Sequence, residues 1–128
     1  MYEVKIPLLI GQEILCMVTD QSKSNSVEIA KQAGARVDLN NRLVRYNVRY
    51  LVYYLKNNKR ANAREDVAYF MWEMPLMVRR EELQEMLGVG KHEAVRIAEQ
   101  AGARVDLGNR LARYNVKKIM KYIDEQSY

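Results

Sequence analysis

The amino-acid sequence predicts a mainly α-helical protein with short β-hairpins, built as two tandem copies of one small unit. The chain contains AGARVDLNNRLVRYNV from Ala33 and, 68 residues later, AGARVDLGNRLARYNV from Ala101. At that constant shift, residues 5–58 match residues 73–126 without a gap, and 24 of the 54 positions are identical. Within each copy, the apolar spacing changes from helical to alternating and back to helical. A repeat this plain indicates two related units.

The second copy begins with two short helices joined by a glycine turn. RREELQEML (79–87) places three apolar side chains at helical spacing behind acidic residues, as expected for an amphipathic helix. Gly88–Gly90 forms a tight turn, and Lys91–Gln100 forms the second helix, which together make a helix-turn-helix. The residues predicted to be buried are Leu83, Met86 and Leu87 in the first helix and Ala94, Val95, Ala98 and Ala101 in the second.

A β-hairpin and a third helix complete the copy. After the second helix, Arg104 and Asp106 alternate with apolar residues and Gly108–Asn109 is a turn pair, which predicts a hairpin returning over 111–114. Its loop has either two or three residues, and the two alternatives pair different residues. Asn115 then caps the third helix. The apolar stripe of that helix is Val116, Ile119, Met120 and Ile123.

The first copy repeats this order with one changed turn. The polar stretch TDQSKSNS (19–26) replaces the glycine turn. Asp20 takes the place of Gly88 and is expected to adopt the left-handed backbone conformation at some energetic cost. The residues predicted to face inward are Ile14, Leu15 and Val18 in the first helix and Val48, Leu51, Val52 and Leu55 in the third.

These patterns divide the chain into two repeats and a linker. The first repeat (1–58) and the second repeat (73–128) each carry the order helix, turn, helix, hairpin, helix, which is that of a winged helix-turn-helix unit. The linker (59–72) ends in the apolar stretch Val67–Trp72, which we expect to pack against one or both cores. A unit of about 55 residues buries only roughly 60% of its unfolded surface, so we expect the repeats to pack on each other or on another subunit.

The composition excludes several classes of function. The 128 residues include 21 lysines and arginines against 16 acidic residues, and the net charge of +5 favours an anionic partner. The longest apolar runs fall far short of the ~18 residues of a membrane span, so we expect a cytoplasmic protein without membrane contact. His92 is the single histidine and Cys16 the single cysteine, so we predict no metal site, no cofactor and no enzymatic activity.

The stretch GKHEAVRIAEQAGARVDLGNRLARYNVKKIMKYID (90–124) resembles the excisionase family, small winged-helix proteins of conjugative transposons and phages that are related in fold to MerR-type DNA-binding domains. The features that carry the resemblance are LGVG, the helix after it, the GNR hairpin tip and the closing amphipathic helix. The resemblance covers residues 76–124 and, more weakly, residues 8–56. Members of the family generally carry one such unit, so the tandem arrangement departs from the family pattern.

The resemblance implies architectural DNA binding, with the second helix in the major groove and the hairpin tip at the neighbouring backbone or minor groove. By position, it implies DNA contacts from Lys91, His92 and Arg96 on the second helix and from Asn109 and Arg110 at the wing tip. Arginines on a projecting hairpin can neutralise phosphates and release counterions. The remaining implied contacts are Arg104 and Arg113 in the second repeat and Lys23, Arg36, Asn41, Arg42 and Arg45 in the first.

The second helices of the two repeats differ at positions implied to face DNA. Arg96, which could contact a phosphate or the edge of a guanine, corresponds to Glu28 in the first repeat. Glu99 likewise corresponds to Lys31. Because a glutamate repels a phosphate, the two helices present different surfaces. If only one repeat binds DNA, we expect it to be the second.

A tyrosine-rich outer face on the third helix of the first repeat predicts a protein contact. Tyr50 and Tyr53 correspond to Lys118 and Lys121 of the second repeat. Tyrosines suit a protein interface, so this face is expected, together with Val67–Trp72, to contact the other repeat or to form a homodimer. The residues of this predicted interface are Tyr50, Tyr53, Tyr54, Phe70 and Trp72.

The sequence therefore predicts a double-stranded DNA-binding protein of a mobile genetic element, acting in recombination or transcription regulation. The alternative is a protein-binding module on the same fold that contacts an integrase or a host nuclease. Measurements of DNA affinity at several salt concentrations distinguish the two functions, because phosphate contacts give a steep salt dependence.

Overall fold

The computed structural model describes residues 7–39, 43–57, 59–60, 76–108 and 111–128. Within them the chain is mainly helical with short antiparallel strands, which confirms the predicted fold class. The elements of the first repeat are β1 (Leu9–Ile10), α1 (Gln12–Thr19), α2 (Lys23–Ala33), β2 (Arg36–Asp38), β3 (Val44–Asn47) and α3 (Val48–Asn57). Those of the second repeat are β4 (Met77–Val78), α4 (Arg80–Leu87), α5 (Lys91–Ala101), β5 (Arg104–Asp106), β6 (Ala112–Asn115) and α6 (Val116–Gln126).

Each repeat combines a helix-turn-helix with a three-stranded antiparallel sheet. The strand orders are β1–β3–β2 and β4–β6–β5, and the two sheets share one register at the shift of 68 residues. The hairpin loops hold three residues between the closing pairs Leu39–Leu43 and Leu107–Leu111, so the three-residue alternative is the correct one. The sequence prediction lacks β1 and β4, because strands of two residues are too short to show alternation.

Local backbone preferences explain where the helices begin and end. The side-chain oxygen of Asn115 accepts a hydrogen bond from the Lys118 N–H at 3.1 Å, which confirms the predicted cap of α6. Gly88 ends α4 with φ of 64°, and Asp20 ends α1 with φ of 55°. The predicted left-handed conformation of Asp20 is therefore confirmed. The changed turn keeps the backbone path of the glycine turn, although an aspartate is more strained there than a glycine.

The interior of the second repeat follows the helical spacing of its sequence. Every residue predicted to be buried in α4 and α6 is buried, whereas Val95 and Ala101 of α5 are only half-buried. Ile97, which lies outside the predicted stripe of α5, is fully buried. The residues whose predicted burial is confirmed are Leu83, Met86, Leu87, Ala94, Ala98, Val116, Ile119, Met120 and Ile123.

The interior of the first repeat departs from its predicted stripes. Leu15 and Leu51 are buried as predicted, but Ile14, Val18 and Leu55 are exposed, so their predicted burial is wrong. Met86 and Ile123, the counterparts of Val18 and Leu55, are buried in an apolar cluster that includes Leu8, Leu9 and Val37 of the first repeat. Among the described residues, the first repeat has no neighbour in the equivalent place, and its helices are left with apolar side chains in solvent.

The two repeats share one core through strands of the first repeat. Leu8, Leu9 and Val37 belong to the first repeat in sequence, but their side chains are buried in the apolar cluster of the second. The Leu8 N–H also donates to the carbonyl of Met86 in α4 at 2.8 Å. The first repeat thus completes the interior of the second, as expected for units too small to bury enough surface alone.

A buried ion pair lies within this contact between the repeats. Arg49 at the start of α3 pairs with Asp124 near the end of α6, and both side chains are less than a tenth exposed. The side-chain amide of Asn47 donates to Asp124 Oδ1 and to Ser127 Oγ, each at 3.0 Å. The Nε and Nη1 atoms of Arg49 have no hydrogen-bond partner among the described residues. Loss of either charge would therefore leave the other buried and uncompensated.

The segment after α6 pairs with the outer edge of the first sheet. Arg36 and Tyr128 exchange two backbone hydrogen bonds of 3.0 and 2.9 Å, next to a bridge between Val37 and Ser127. The Tyr128 hydroxyl donates to the carboxylate of Asp38. This hydrogen bond, followed by that from Arg36, lowers the pKa of Asp38. The hairpin of the first repeat is thus partly covered by the second repeat.

The contact joins different faces of two similar units. We define a strand face and a helix face on each repeat, and the strand face of the first repeat packs on the helix face of the second. Such a contact is heterologous, or head-to-tail, because a two-fold contact would use the same face twice. In the contact, the strand face contributes Leu8, Leu9, Arg36, Val37, Arg45, Asn47 and Arg49, and the helix face contributes Met86, Gly88, Asp124, Ser127 and Tyr128.

Removal of one partner of the ion pair is expected to destabilise the protein by about 3 kcal/mol, because the remaining charge stays buried. The single changes are Arg49→Met and Asp124→Leu. The double variant is expected to lose much less than the sum of the two single losses, since no buried charge remains. Urea unfolding of the full chain, followed by circular dichroism, measures all three free energies. Additive losses would contradict the assignment of this pair as a coupled unit.

Candidate nucleic-acid interface

Three predicted phosphate-binding residues of the first repeat line one groove. The groove has a volume of about 850 Å³ and lies between the start of α2 and the strand β3. Lys23 of α2, Arg36 of β2 and Arg45 of β3 all line it, although they are well separated along the sequence. The helix-turn-helix and the hairpin therefore meet along a common groove, as a winged helix requires.

The corresponding face of the second repeat is more basic. At the shift of 68 residues, positions that line the first groove become Arg80, Lys91, His92, Arg104 and Arg113, and we call these five residues the basic face. Lys91, His92 and Arg104 are exposed, and the other two are half-buried. Sequence reasoning missed Arg80, which corresponds to Gln12. The alignment of the repeats pairs Arg80 with Gln12, but only the structure shows that Gln12 lines the groove.

The start of the second helix is capped in the first repeat and open in the second. Ser22 caps α2 by accepting the N–H of Asn25 at 3.4 Å. Gly90 occupies the same place before α5 and offers no side chain to cap the helix, and open space lies where its Cβ would be. Uncapped N–H groups and the helix dipole attract anions. The start of α5, next to Lys91, is therefore suited to a phosphate.

The wing arginines of the first repeat are engaged in contacts within the protein. Arg45 Nε and Nη2 donate to the carbonyl of Gly88 at 3.2 and 3.1 Å. Because Gly88 ends α4, this guanidinium lies at the negative end of a helix dipole. Arg36 pairs with Asp38 at 2.8 Å and lies 5.9 Å from the ring centroid of Tyr128. Either arginine would have to give up these contacts to bind a phosphate.

The equivalent arginines of the second repeat make only local contacts among the described residues. Arg104 Nε donates to Asp106 Oδ1 at 3.0 Å, and this hydrogen bond raises the pKa of Arg104. Arg113 Nη1 donates to the carbonyl of Ala112 at 2.9 Å. Both members of the Arg104–Asp106 pair are exposed, and exposed pairs contribute little stability. A phosphate could therefore replace Asp106 as the partner of Arg104.

Arg96 lies away from the groove. Its Nε donates to Glu93 Oε2 at 3.1 Å, and this hydrogen bond raises the pKa of Arg96. Tyr122 of α6 is a further close neighbour of the guanidinium. Glu28, the counterpart of Arg96, is not among the residues that line the groove of the first repeat. The structure therefore places Arg96 toward the third helix, and not on the groove side that the resemblance implies.

Six residues of the predicted sites lie outside the described residues. Both hairpins are regular up to the leucine pairs that close them. Four of the six residues stand in the sequence between the two leucines of such a pair. The six residues are Asn41, Arg42, Asn109 and Arg110 of the predicted wing tips and Phe70 and Trp72 of the predicted interface.

Two tyrosines of α3 pack on the core of their own repeat. Tyr50 and Tyr54 flank the buried Leu51 and pack on the core of the first repeat. Tyr53 is buried, and burial of its large apolar ring is favourable. The contacts between the repeats described above come from the strand face and the helix face. A role of these tyrosines in a homodimer stays a prediction.

Residues suited to other chemistry are dispersed. Among the residues that the structure describes, no three acidic, histidine or cysteine side chains gather as metal ligands would. His92 is exposed at the start of α5, and Cys16 is a half-buried free thiol in α1. Within the same residues, no helix has both the length and the apolar character that crossing a bilayer requires.

Comparisons with known proteins identified no relative of this chain. No protein-family model matches the chain, and comparisons with curated proteins and with solved structures found no match. The geometry and charge of the basic face are therefore the basis for a functional proposal.

Arg45→Ala is expected to lower the free energy of unfolding by about 1 kcal/mol, because it removes two charge-assisted hydrogen bonds to a helix end. The same change at the equivalent Arg113 is expected to alter stability by less than about 0.5 kcal/mol, since that side chain makes a local surface contact. Urea unfolding at neutral pH measures both variants. Equal losses would show that the bonds from Arg45 to Gly88 do not hold the repeats together.

Proposed function

We propose that the protein binds double-stranded DNA through the basic face of its second repeat, as a winged helix-turn-helix factor of a mobile genetic element. The observation that carries the proposal is the basic face itself, which combines exposed cations of a helix-turn-helix with cations of the adjoining hairpin. The resemblance of residues 90–124 to the excisionase family supports the same function. Recombination and transcription regulation are the two processes in which such a factor acts.

The proposed binding mode assigns different contacts to the helix and the hairpin. An α-helix fits the major groove of B-DNA, and recognition helices of this type contact bases with their N-terminal residues. Lys91 and His92 occupy the first turn of α5 and are exposed. Arg104 and Arg113 on the hairpin would neutralise phosphates beside that groove. The uncapped start of α5 behind Gly90 would accept a further phosphate oxygen.

The contacts within the protein favour the second repeat over the first as the main DNA-binding unit. In the first repeat, Arg45 is bonded to Gly88 of the second repeat. Arg36 lies beneath the ring of Tyr128, and Ser22 already caps the second helix. The first repeat also completes the core of the second through Leu8, Leu9 and Val37. Its proposed role is to stabilise and orient the unit that contacts DNA.

If both repeats contact one duplex, their half-sites are not expected to form an inverted repeat, because a head-to-tail contact has no two-fold axis between the units. A two-fold relation, which would produce an inverted repeat, requires the same face on both units. Selection from a random duplex library with the purified protein measures the orientation. Recovery of an inverted repeat would contradict the binding of one duplex by two repeats in this head-to-tail arrangement.

Fluorescence anisotropy with a labelled duplex at several salt concentrations tests the main proposal. Lys91→Gln and Arg113→Gln are each expected to weaken binding, because each removes a cation of the basic face. Arg113→Gln is also expected to reduce the slope of log affinity against log salt by about 1, because it removes one phosphate contact. The matched control is Lys23→Gln, the equivalent change in the first repeat, which is expected to leave affinity and slope unchanged.

Equal losses from Lys23→Gln and Lys91→Gln would refute the assignment to the second repeat. A protein without any salt-sensitive duplex binding would refute the proposed function and favour the protein-binding alternative. Circular dichroism of each variant shows whether a loss of binding reflects a loss of folding.

A further inference from the structure

The exposed apolar side chains are concentrated on two faces. Among the described residues, nine large apolar side chains are exposed, and all of them except Tyr128 fall into two groups. The group on the helices of the first repeat consists of Ile14, Met17, Val18 and Leu55. The group on and beside the sheet of the second repeat consists of Leu76, Met77, Leu107 and Leu111.

The group on the second repeat belongs to its strand face. In the first repeat, Leu8 is only 3% exposed because the helix face of the second repeat covers it. Its counterpart Leu76 is 83% exposed. Leu9 and its counterpart Met77 differ in the same direction. The second repeat therefore presents to solvent the same apolar strand face that the first repeat buries.

Val18 and Leu55 of the group on the first repeat belong to its helix face, because their counterparts Met86 and Ile123 are buried in the second repeat. In the second repeat, Met86 is 7% exposed because the strand face of the first repeat lies against α4. Its counterpart Val18 is 61% exposed. Met17 extends this surface along α1, where the second repeat has Glu85. An apolar residue in place of a glutamate enlarges the area available for a partner.

We propose that these molecules associate head to tail, so that the strand face of the second repeat in one molecule packs on the helix face of the first repeat in the next. The two kinds of face already pack on each other inside each chain, and the proposed contact repeats that arrangement. Because the contact is heterologous, one face stays available at each end and assembly continues beyond a dimer. The proposal does not rest on DNA binding, although Arg113 belongs both to this contact and to the basic face.

One pair of charges limits the strength of this association. The contact inside the chain pairs Arg49 with Asp124. At the shift of 68 residues, the contact between molecules would instead bring together Lys117 and Lys56. Two lysines repel each other where the internal contact has an attractive pair. The association is therefore expected to be weaker than the contact inside the chain, and reversal of one charge should strengthen it.

Another pair of polar groups favours the association. Inside the chain, Arg45 donates to the carbonyl of Gly88 at the end of α4. The counterparts at the contact between molecules are Arg113 and Asp20, which carry opposite charges. Arg113 would therefore meet a helix end that also bears a carboxylate.

Sedimentation velocity over a series of protein concentrations, in the absence of DNA, tests the proposal. The average mass of the wild-type protein is expected to rise with concentration beyond that of a dimer. Val18→Glu blocks the helix face and Leu76→Glu blocks the strand face, so each variant alone is expected to remain monomeric. An equimolar mixture of the two is expected to form dimers and nothing larger, because each variant retains one intact face.

Two further variants complete the test. Lys56→Asp is expected to lower the dissociation constant several-fold, since it places a carboxylate opposite Lys117. The control is Gln100→Glu, an exposed position on α5 outside both faces, which is expected to associate as the wild type does. A wild-type protein that is monomeric at every concentration would overturn the proposal. So would a Val18→Glu variant that still dimerises alone, or a mixture that forms no dimer.

Discussion

Burial of Leu8, Leu9 and Val37 in the core of the second repeat is the contact on which the rest of the structure depends. A fully buried aliphatic side chain of this kind contributes about 1.5–3 kcal/mol, which is a large share of the stability of units this small. The contact holds β1 against α4 and β2 against α6. It therefore sets the orientation of one helix-turn-helix relative to the other, and the ion pair between Arg49 and Asp124 forms only in that orientation.

The same contact determines how the positive charge of the protein is distributed. In the first repeat it directs Arg45 to the end of α4 and brings Tyr128 over Arg36. The corresponding arginines of the second repeat keep local partners and remain accessible. Two hairpins of nearly the same sequence therefore differ in what they can bind. The proposal that the second repeat contacts DNA rests on this difference.

Local patterns were sufficient to predict the helices, the cap at Asn115, the left-handed turn at Asp20 and the two hairpins, because each depends on residues only a few positions apart. Features that depend on distant neighbours were not predictable in this way. Val18 was expected to be buried because its spacing is that of an amphipathic helix, but no described residue covers it. Arg96 was expected at the groove, but Glu93 and Tyr122 hold it toward the third helix.

By itself, the sequence determined that the chain contains two helix-turn-helix units with hairpins, and that their second helices carry different charges. It could not determine which faces of the two units meet. Val37 and Val105 stand in segments that are identical at 18 of 22 positions, yet Val37 is fully buried in the contact and Val105 is only partly buried. Identical residues in such similar surroundings have the same local preferences. Only the tertiary structure decided between them, because burial depends on the surface that packs against a residue.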